Sequence, residues 1–198
     1  MRLARLVPLS AAIVAVAAAP ASAADGFMSV QDFQFAPAMM AIQPGDKVDF
    51  NFEGPSQHTA TLRARQIDRF DSGTTGPGFT PKHTFRFAGR FGLYCRIHPD
   101  MRAVVQVGGP ETVRPRITKL KTRSTRRRVR VGFRLSERSV VAVTIAGRTV
   151  RRVLGRGGRS LLVRVRNGAR RKVKVTAKDG WGNTTTVTGL SPRPAGAG

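Results

Sequence analysis

The segment Tyr94-Cys95-Arg96-Ile97-His98-Pro99-Asp100-Met101 decides how the rest of the chain is read. A thiol, an imidazole and a thioether stand three residues apart in turn, between two runs of strand character, Gly92 to Cys95 and Ala103 to Val107. One tight loop between two strands can aim all three at a single point. A second imidazole, His58, opens another strand far upstream and has to come from across the sheet packing.

Each residue alone has an ordinary reading. A methionine after a loop is usually core packing, which is how Met28, Met39 and Met40 are assigned. A histidine near a strand start is more often exposed or hydrogen-bonded, the reading given to His83. A solitary cysteine is most often a buried, inert thiol. Their conjunction is different. Two imidazoles and a thiolate in one plane, with a weak axial thioether, form the ligand set of a type 1, or blue, copper ion. His58, Cys95, His98 and Met101 are therefore the expected metal ligands, holding one copper. Zinc also accepts Cys and His, but a thioether is a poor zinc ligand, so Met101 favours copper.

Upstream and downstream of that loop, residues 27 to 107 read as short strands separated by turns, with no sustained helical period. The expected strands are 27–35, 39–42, 47–52, 58–63, 82–87, 92–95 and 103–107, with Pro44-Gly45-Asp46 as a turn and 71–78 as a Gly-rich loop. The copper loop, with its short Cys-x-x-His-x-x-Met spacing and Pro99 after the second His, resembles that of the plastocyanin and amicyanin family of cupredoxins, and is nearest to amicyanin-like members. The likeness extends through Phe35-Ala36-Pro37, Gln43-Pro44-Gly45-Asp46-Lys47-Val48, His58-Thr59-Ala60-Thr61, Phe70-Asp71-Ser72-Gly73 and Phe91-Gly92-Leu93-Tyr94-Cys95. It implies an eight-stranded Greek-key sandwich with copper near one end and a one-electron carrier function. Three positions depart from the family pattern. Phe52 stands where many members have Asn, Gln57 where many have Pro before the first His, and Arg96 follows the Cys where a small or polar residue is common. These departures predict altered surroundings of the metal, which tune its potential.

The 198 residues divide sharply in composition. Residues 1–110 hold 11 basic and 8 acidic residues, whereas 111–198 hold 24 basic and 3 acidic; every Phe but Phe133, and the single Tyr, lie in the first part. Two domains of about one hundred residues or fewer fit this division, with Gly108-Gly109-Pro110 as the joint. The expected organisation is a signal segment at 1–23, a copper domain at 24–108, a basic sandwich at 109–190 and a disordered tail at 191–198. The fold class is all-β throughout.

In the second half Val129, Val131, Phe133 and Leu135 alternate with Arg128, Arg130 and Arg134, and the pattern returns at 161–166 and 172–175. A period of two with one apolar face indicates half-buried antiparallel strands. Turns at Ala146-Gly147, Asn167-Gly168 and Asp179-Gly180 would divide six or seven strands. The closing run Ala177-Lys178-Asp179-Gly180-Trp181-Gly182-Asn183 resembles the last hairpin of bacterial immunoglobulin-like modules, implying an immunoglobulin-like or fibronectin type III-like sandwich. Its cationic faces would attract an anionic cell-wall polymer, a membrane surface or an acidic redox partner; the alternative is a solvated, arginine-rich surface with no specific partner. Nucleic acid is disfavoured, since no aromatic stacking platform is present.

At the start, Arg2 and Arg5 precede an apolar run from Leu6 to Ala19 and the small-residue sequence Ala21-Ser22-Ala23. That is the layout of a secretory signal cut after Ala23, shorter than the roughly 20 apolar residues a spanning helix needs. It predicts an extracytoplasmic protein: secreted, periplasmic or attached to the cell envelope. A single cysteine there has no internal disulfide partner, which again favours metal ligation.

Among functions, the leading expectation is an exported electron carrier cycling Cu(I) and Cu(II), not an enzyme. Multicopper oxidases and nitrite reductases need further His-rich centres, and this chain has three His with two already used. A cysteine hydrolase lacks a pre-organised oxyanion site. The alternative is an extracytoplasmic protein that binds or delivers copper without transferring electrons, although no His or Met tract suited to open exchange is present.

Overall fold

The computed structural model describes residues 25–125, 127–165 and 170–192. The expected signal segment, the Asn167-Gly168 turn and residues 193–198 of the expected tail lie outside them. No described helix is long and apolar enough to cross a membrane.

The first half forms eight strands: β1 (Asp25–Gln31), β2 (Gln34–Ala36), β3 (Met39–Ile42), β4 (Lys47–Phe52), β5 (Thr61–Leu62), β6 (Lys82–Thr84), β7 (Gly89–Tyr94) and β8 (Arg102–Val107). They build two four-stranded sheets, ordered β2-β1-β4-β6 and β3-β8-β7-β5. The chain changes sheet between β2 and β3, β3 and β4, β4 and β5, β5 and β6, and β6 and β7, which is a Greek-key sandwich. Within it β1 runs parallel to β4 and β3 parallel to β8.

Period-two alternation explains the packing. In β4, Val48, Phe50 and Phe52 point inward; in β7, Phe91 and Leu93; in β8, Ala103, Val105 and Val107. With Met28, Val30 and Phe85 they fill one core, burying most of the chain's phenylalanine surface. The Phe52 departure is thus absorbed as a core side chain. Met40 packs against this core, but Met39, expected to do the same, is 60 % exposed. On β3 the two neighbours face opposite sides, so only one of them can reach the interior.

Three expected strands are shorter or divided. The run 27–35 is broken at Asp32-Phe33, a tight turn in which Phe33 takes a φ of 66°. The apolar positions change phase there, from Met28 and Val30 to Phe33 and Phe35, because Asp32-Phe33 adds a turn between two short strands. The run 58–63 keeps only Thr61 and Leu62 as strand, with His58 in an isolated bridge to Thr75. Between them side chains replace the ladder, because Thr59 N–H donates to Cys95 Sγ at 3.3 Å and Ala60 N–H to Ser72 Oγ at 2.9 Å. The run 82–87 is ladder only to Thr84, after which Phe85 N–H turns to the Asp46 carbonyl.

The second half forms β9 (Ile117–Ser124), β10 (Arg128–Leu135), β11 (Ser139–Ile145), β12 (Arg148–Leu154), β13 (Gly157–Arg164), β14 (Arg171–Lys178) and β15 (Thr184–Ser191). Antiparallel sheets ordered β13-β10-β9 and β12-β11-β14-β15 enclose a separate, mostly aliphatic core around Val131, Phe133, Val143, Ile145, Val173 and Val175. Arg128, Arg130, Arg134, Arg164, Lys172 and Lys174 of the alternating pattern face outward. The last strand extends to Ser191, which is buried, one residue into the segment expected to be tail.

The sandwiches touch. Arg90 N–H donates to the Gly180 carbonyl at 2.9 Å, and Arg138 places its guanidinium 4.2 Å above the Phe87 ring while its Nε–H donates to the Ile67 carbonyl at 2.8 Å. Val140 and Val153 of the second sandwich pack against the core of the first.

Candidate metal centre

Strands β7 and β8 pair antiparallel, Tyr94 opposite Arg102, so Cys95 leaves one strand where Met101 enters the next. Two backbone hydrogen bonds hold the loop between them: Cys95 N–H to the Met101 carbonyl at 3.1 Å and Met101 N–H to the His98 carbonyl at 3.0 Å. This short hairpin loop turns His98 back toward Cys95. His58 arrives from the segment preceding β5.

The three donors converge. His58 Nδ1 and His98 Nδ1 lie 3.0 Å apart, and Cys95 Sγ is 4.0 Å from the first and 3.8 Å from the second. Nitrogen and sulfur donors about 2.0–2.3 Å from one shared ion in a trigonal plane stand about 3.5–3.9 Å apart. The observed triangle brackets those separations. His58 and Cys95 are fully buried and His98 half-buried, so the site opens to solvent on the His98 side. Soft thiolate with two imidazoles fits this group to a single copper ion. Met101 is also buried in this loop.

The thiol is prepared for ligation. Burial pushes it up, but the backbone N–H groups of Thr59, His98 and Ile97, together with His58, outweigh burial and bring its pKa down to about 6. At neutral pH Cys95 is therefore a thiolate, the form that binds metal. Thr59 also receives the Arg96 N–H on its Oγ1 at 2.8 Å. The Arg96 side chain turns outward to Asp71, with Nη1 to Oδ2 at 3.3 Å. The departure at Arg96 thus leaves the sulfur to backbone donors.

Residues that the sequence reading did not single out complete the surroundings. The β1–β2 turn places Asp32 Oδ1 3.0 Å from His58 Nε2, and the Phe33 ring meets His98 edge-on with centroids 5.0 Å apart. Asp32 also accepts the Ser56 N–H, and its carboxyl is held below the usual carboxylate range, chiefly by the His58 hydrogen bond. As an ionised acceptor it requires the proton on Nε2, leaving Nδ1 free to ligate. Gly54 makes room for this arrangement, because a Cβ there would lie 2.8 Å from the Asp32 nitrogen and closer still to its carboxylate. The available signal is an Asp, a strong turn residue, at the point where the apolar alternation shifts phase from Met28-Val30 to Phe33-Phe35. His83 is a hydrogen-bonded residue, its Nε2 3.1 Å from Asp68 Oδ2, and takes no part in the centre.

Neither a protein-family model nor a curated protein matches the sequence. Solved structures similar to this chain include the copper-containing nitrite reductase of Thermus scotoductus SA-01, 24 % identical over 50 % of this chain with a TM-score of 0.40. The chain spans 25 % of that enzyme's length. Amicyanin from Paracoccus versutus is 20 % identical over 46 % of this chain and 85 % of its own, with a TM-score of 0.40. A purple cupredoxin from Nitrosopumilus maritimus is 19 % identical over 42 % of this chain and all of its own, with a TM-score of 0.39. These neighbours are cupredoxins, or contain copper by name, and each likeness covers about half of this chain.

Proposed function

We propose that the protein is a type 1 copper protein acting outside the cytoplasm as a one-electron carrier, with His58, Cys95 and His98 as the principal ligands and Met101 as the weak axial one. The observation that carries this reading is the triangle of two Nδ1 atoms and a thiolate sulfur that receives the Thr59 N–H, with His58 and Cys95 buried and His98 half-buried. A ligand set acceptable to both copper oxidation states, held by strands on either side, changes little as the electron moves. Half-buried His98, flanked by exposed Phe33 and Ile97, supports electron entry at that end. His83 is engaged with Asp68, which favours a carrier over an enzyme needing a second His-rich centre. Burial of His58, Cys95 and Met101 favours retention over delivery of the metal. The cationic second sandwich would meet an acidic redox partner or an anionic envelope surface.

The test is an absorption spectrum of the copper-loaded protein in air, followed by a redox titration. Intense visible absorption that bleaches on one-electron reduction and vanishes in Cys95→Ser supports the carrier. Stoichiometric copper without colour overturns it. Copper exchange within seconds would favour delivery instead.

A further inference from the structure

We propose that Glu111, Glu137 and Asp179 form a calcium site where the second sandwich meets the first. From residue 111 onward the chain carries 24 basic residues and only these three acidic ones. All three bring a carboxylate oxygen within 4.8 Å of one another. They come from three separate segments: Glu111 from the stretch joining the sandwiches, Glu137 from the β10–β11 turn, and Asp179 from the β14–β15 turn. With so many arginines available, ion pairing would be the ordinary outcome. Among the described residues none of the three forms an ion pair.

Asp179 supplies the independent sign of a ligand. It is 95 % buried, and its Oδ1 accepts the N–H groups of Trp181 and Asn183 at 2.9 and 2.8 Å. Its Oδ2 is buried with no hydrogen-bond partner. A buried carboxylate oxygen left without a donor is costly, and a cation shared with the two glutamates removes that cost. Burial, then the charges of Asp179 and Glu111, push the Glu137 carboxyl up, as expected where positive charge is wanting. The grading from buried Asp179 through half-buried Glu137 to exposed Glu111 leaves a path from solvent.

The donors are all oxygen, which selects a hard cation over copper or zinc. Calcium tolerates the irregular six- to eightfold coordination that loops, carbonyls and water provide, whereas magnesium demands near-ideal octahedral geometry. The neighbours of the cluster are the residues that dock the sandwiches. Arg138 adjoins Glu137 and reaches Phe87 and Ile67; Gly180 adjoins Asp179 and receives the Arg90 N–H. A bound calcium would therefore tie both docking turns to the linker and stiffen the junction. This site is independent of the copper centre.

Trp181, the only tryptophan, lines the same hollow as Asp179 and provides a reporter. Terbium(III) added to the full-length protein as a calcium surrogate should show one saturable emission component on tryptophan excitation. Calcium should displace it, with magnesium at least tenfold less effective. Glu137→Gln and Glu111→Gln should each weaken binding at least tenfold; these replace Asp179→Asn as the test because, among the described residues, no backbone N–H donates to either glutamate carboxylate, whereas two donate to Asp179. Calcium should also raise the unfolding temperature of the parent and not of these variants. No saturable emission, or emission and unfolding unchanged by both Glu variants, overturns the site. So does calcium-independent stability that follows pH alone, the signature of a proton shared between Glu137 and Asp179.

Discussion

Asp32 and His58 are joined by a 3.0 Å hydrogen bond between Oδ1 and Nε2, on the edge of the imidazole turned away from Cys95. The carboxylate is partly open to solvent and comes from a two-residue turn, whereas the ring is fully buried. Partners on the outer nitrogen of a ligating His set its tautomer and orientation and raise its basicity. Asp32→Ala should therefore weaken copper binding by about 10–100-fold and alter the reduction potential. Asp32→Asn, which can still accept from Nε2–H, should fall between. Copper affinity by competition and potential by redox titration check this; equal values for all three proteins would refute the role.

Gly54 is confined by that same carboxylate. Gly54→Ala would drive a methyl against the Asp32 backbone and side chain. Forced overpacking of this kind costs about 1–3 kcal/mol. Denaturant unfolding should register that loss, and the visible spectrum should shift as His58 loses its anchor. A spectrum identical to the parent would mean that Asp32 does not position the ligand.

Asp68 links pH to stability away from the metal. Burial pushes its carboxyl up, but the His83 hydrogen bond, the Arg69 N–H and the charges of His83 and Arg138 overcome this and hold it below its ordinary value. Lys82 and Arg86 line the same hollow. A group depressed in the folded state stabilises above its unfolded pKa, about 3.9 for Asp, and that contribution disappears as pH falls through the folded value. Asp68→Asn should be less stable than the parent at pH 7, with the difference closing at the acid end. Unfolding free energies measured from pH 7 to pH 2 test the sign.

Gly180 lets the two sandwiches meet. A Cβ on it would stand 2.8 Å from Ile67 Cδ1 and 3.0 Å from Gly89 Cα, and would overlap the Ala88 carbonyl. Gly180→Ala should separate the docking surfaces while leaving both cores intact. Calorimetry should then resolve two unfolding transitions lying further apart than in the parent, with the copper spectrum unchanged. A single unaltered transition would show that the contact contributes no coupling.

Much of this protein is legible from local order. The Cys95–Met101 spacing marks a candidate ligand loop because its ends adjoin neighbouring strands, and period-two alternation reveals inward faces such as Val48-Phe50-Phe52 and Val129-Val131-Phe133 without any knowledge of partners. Compositional change near residue 110 separates two cores because aromatic and aliphatic packing are distinct. The Asp32-Phe33 turn is legible as a change of phase, from Met28-Val30 to Phe33-Phe35. What alternation cannot register is where such a turn ends in space, here with a carboxylate behind His58 and a ring beside His98. Met39 has the same limit, since hydrophobicity does not say which of two adjacent methionines meets the core.

The sequence by itself determined the residue types of the candidate centre, the loop that carries Cys95, His98 and Met101, and the β character of both halves. Only the tertiary structure decided that Asp32 reaches His58 across 26 positions and that the three acidic residues of the basic half come together. The reason is physical: spacing along a strand sets which face a side chain occupies, but contacts between segments depend on how the sheets pack and where their turns end.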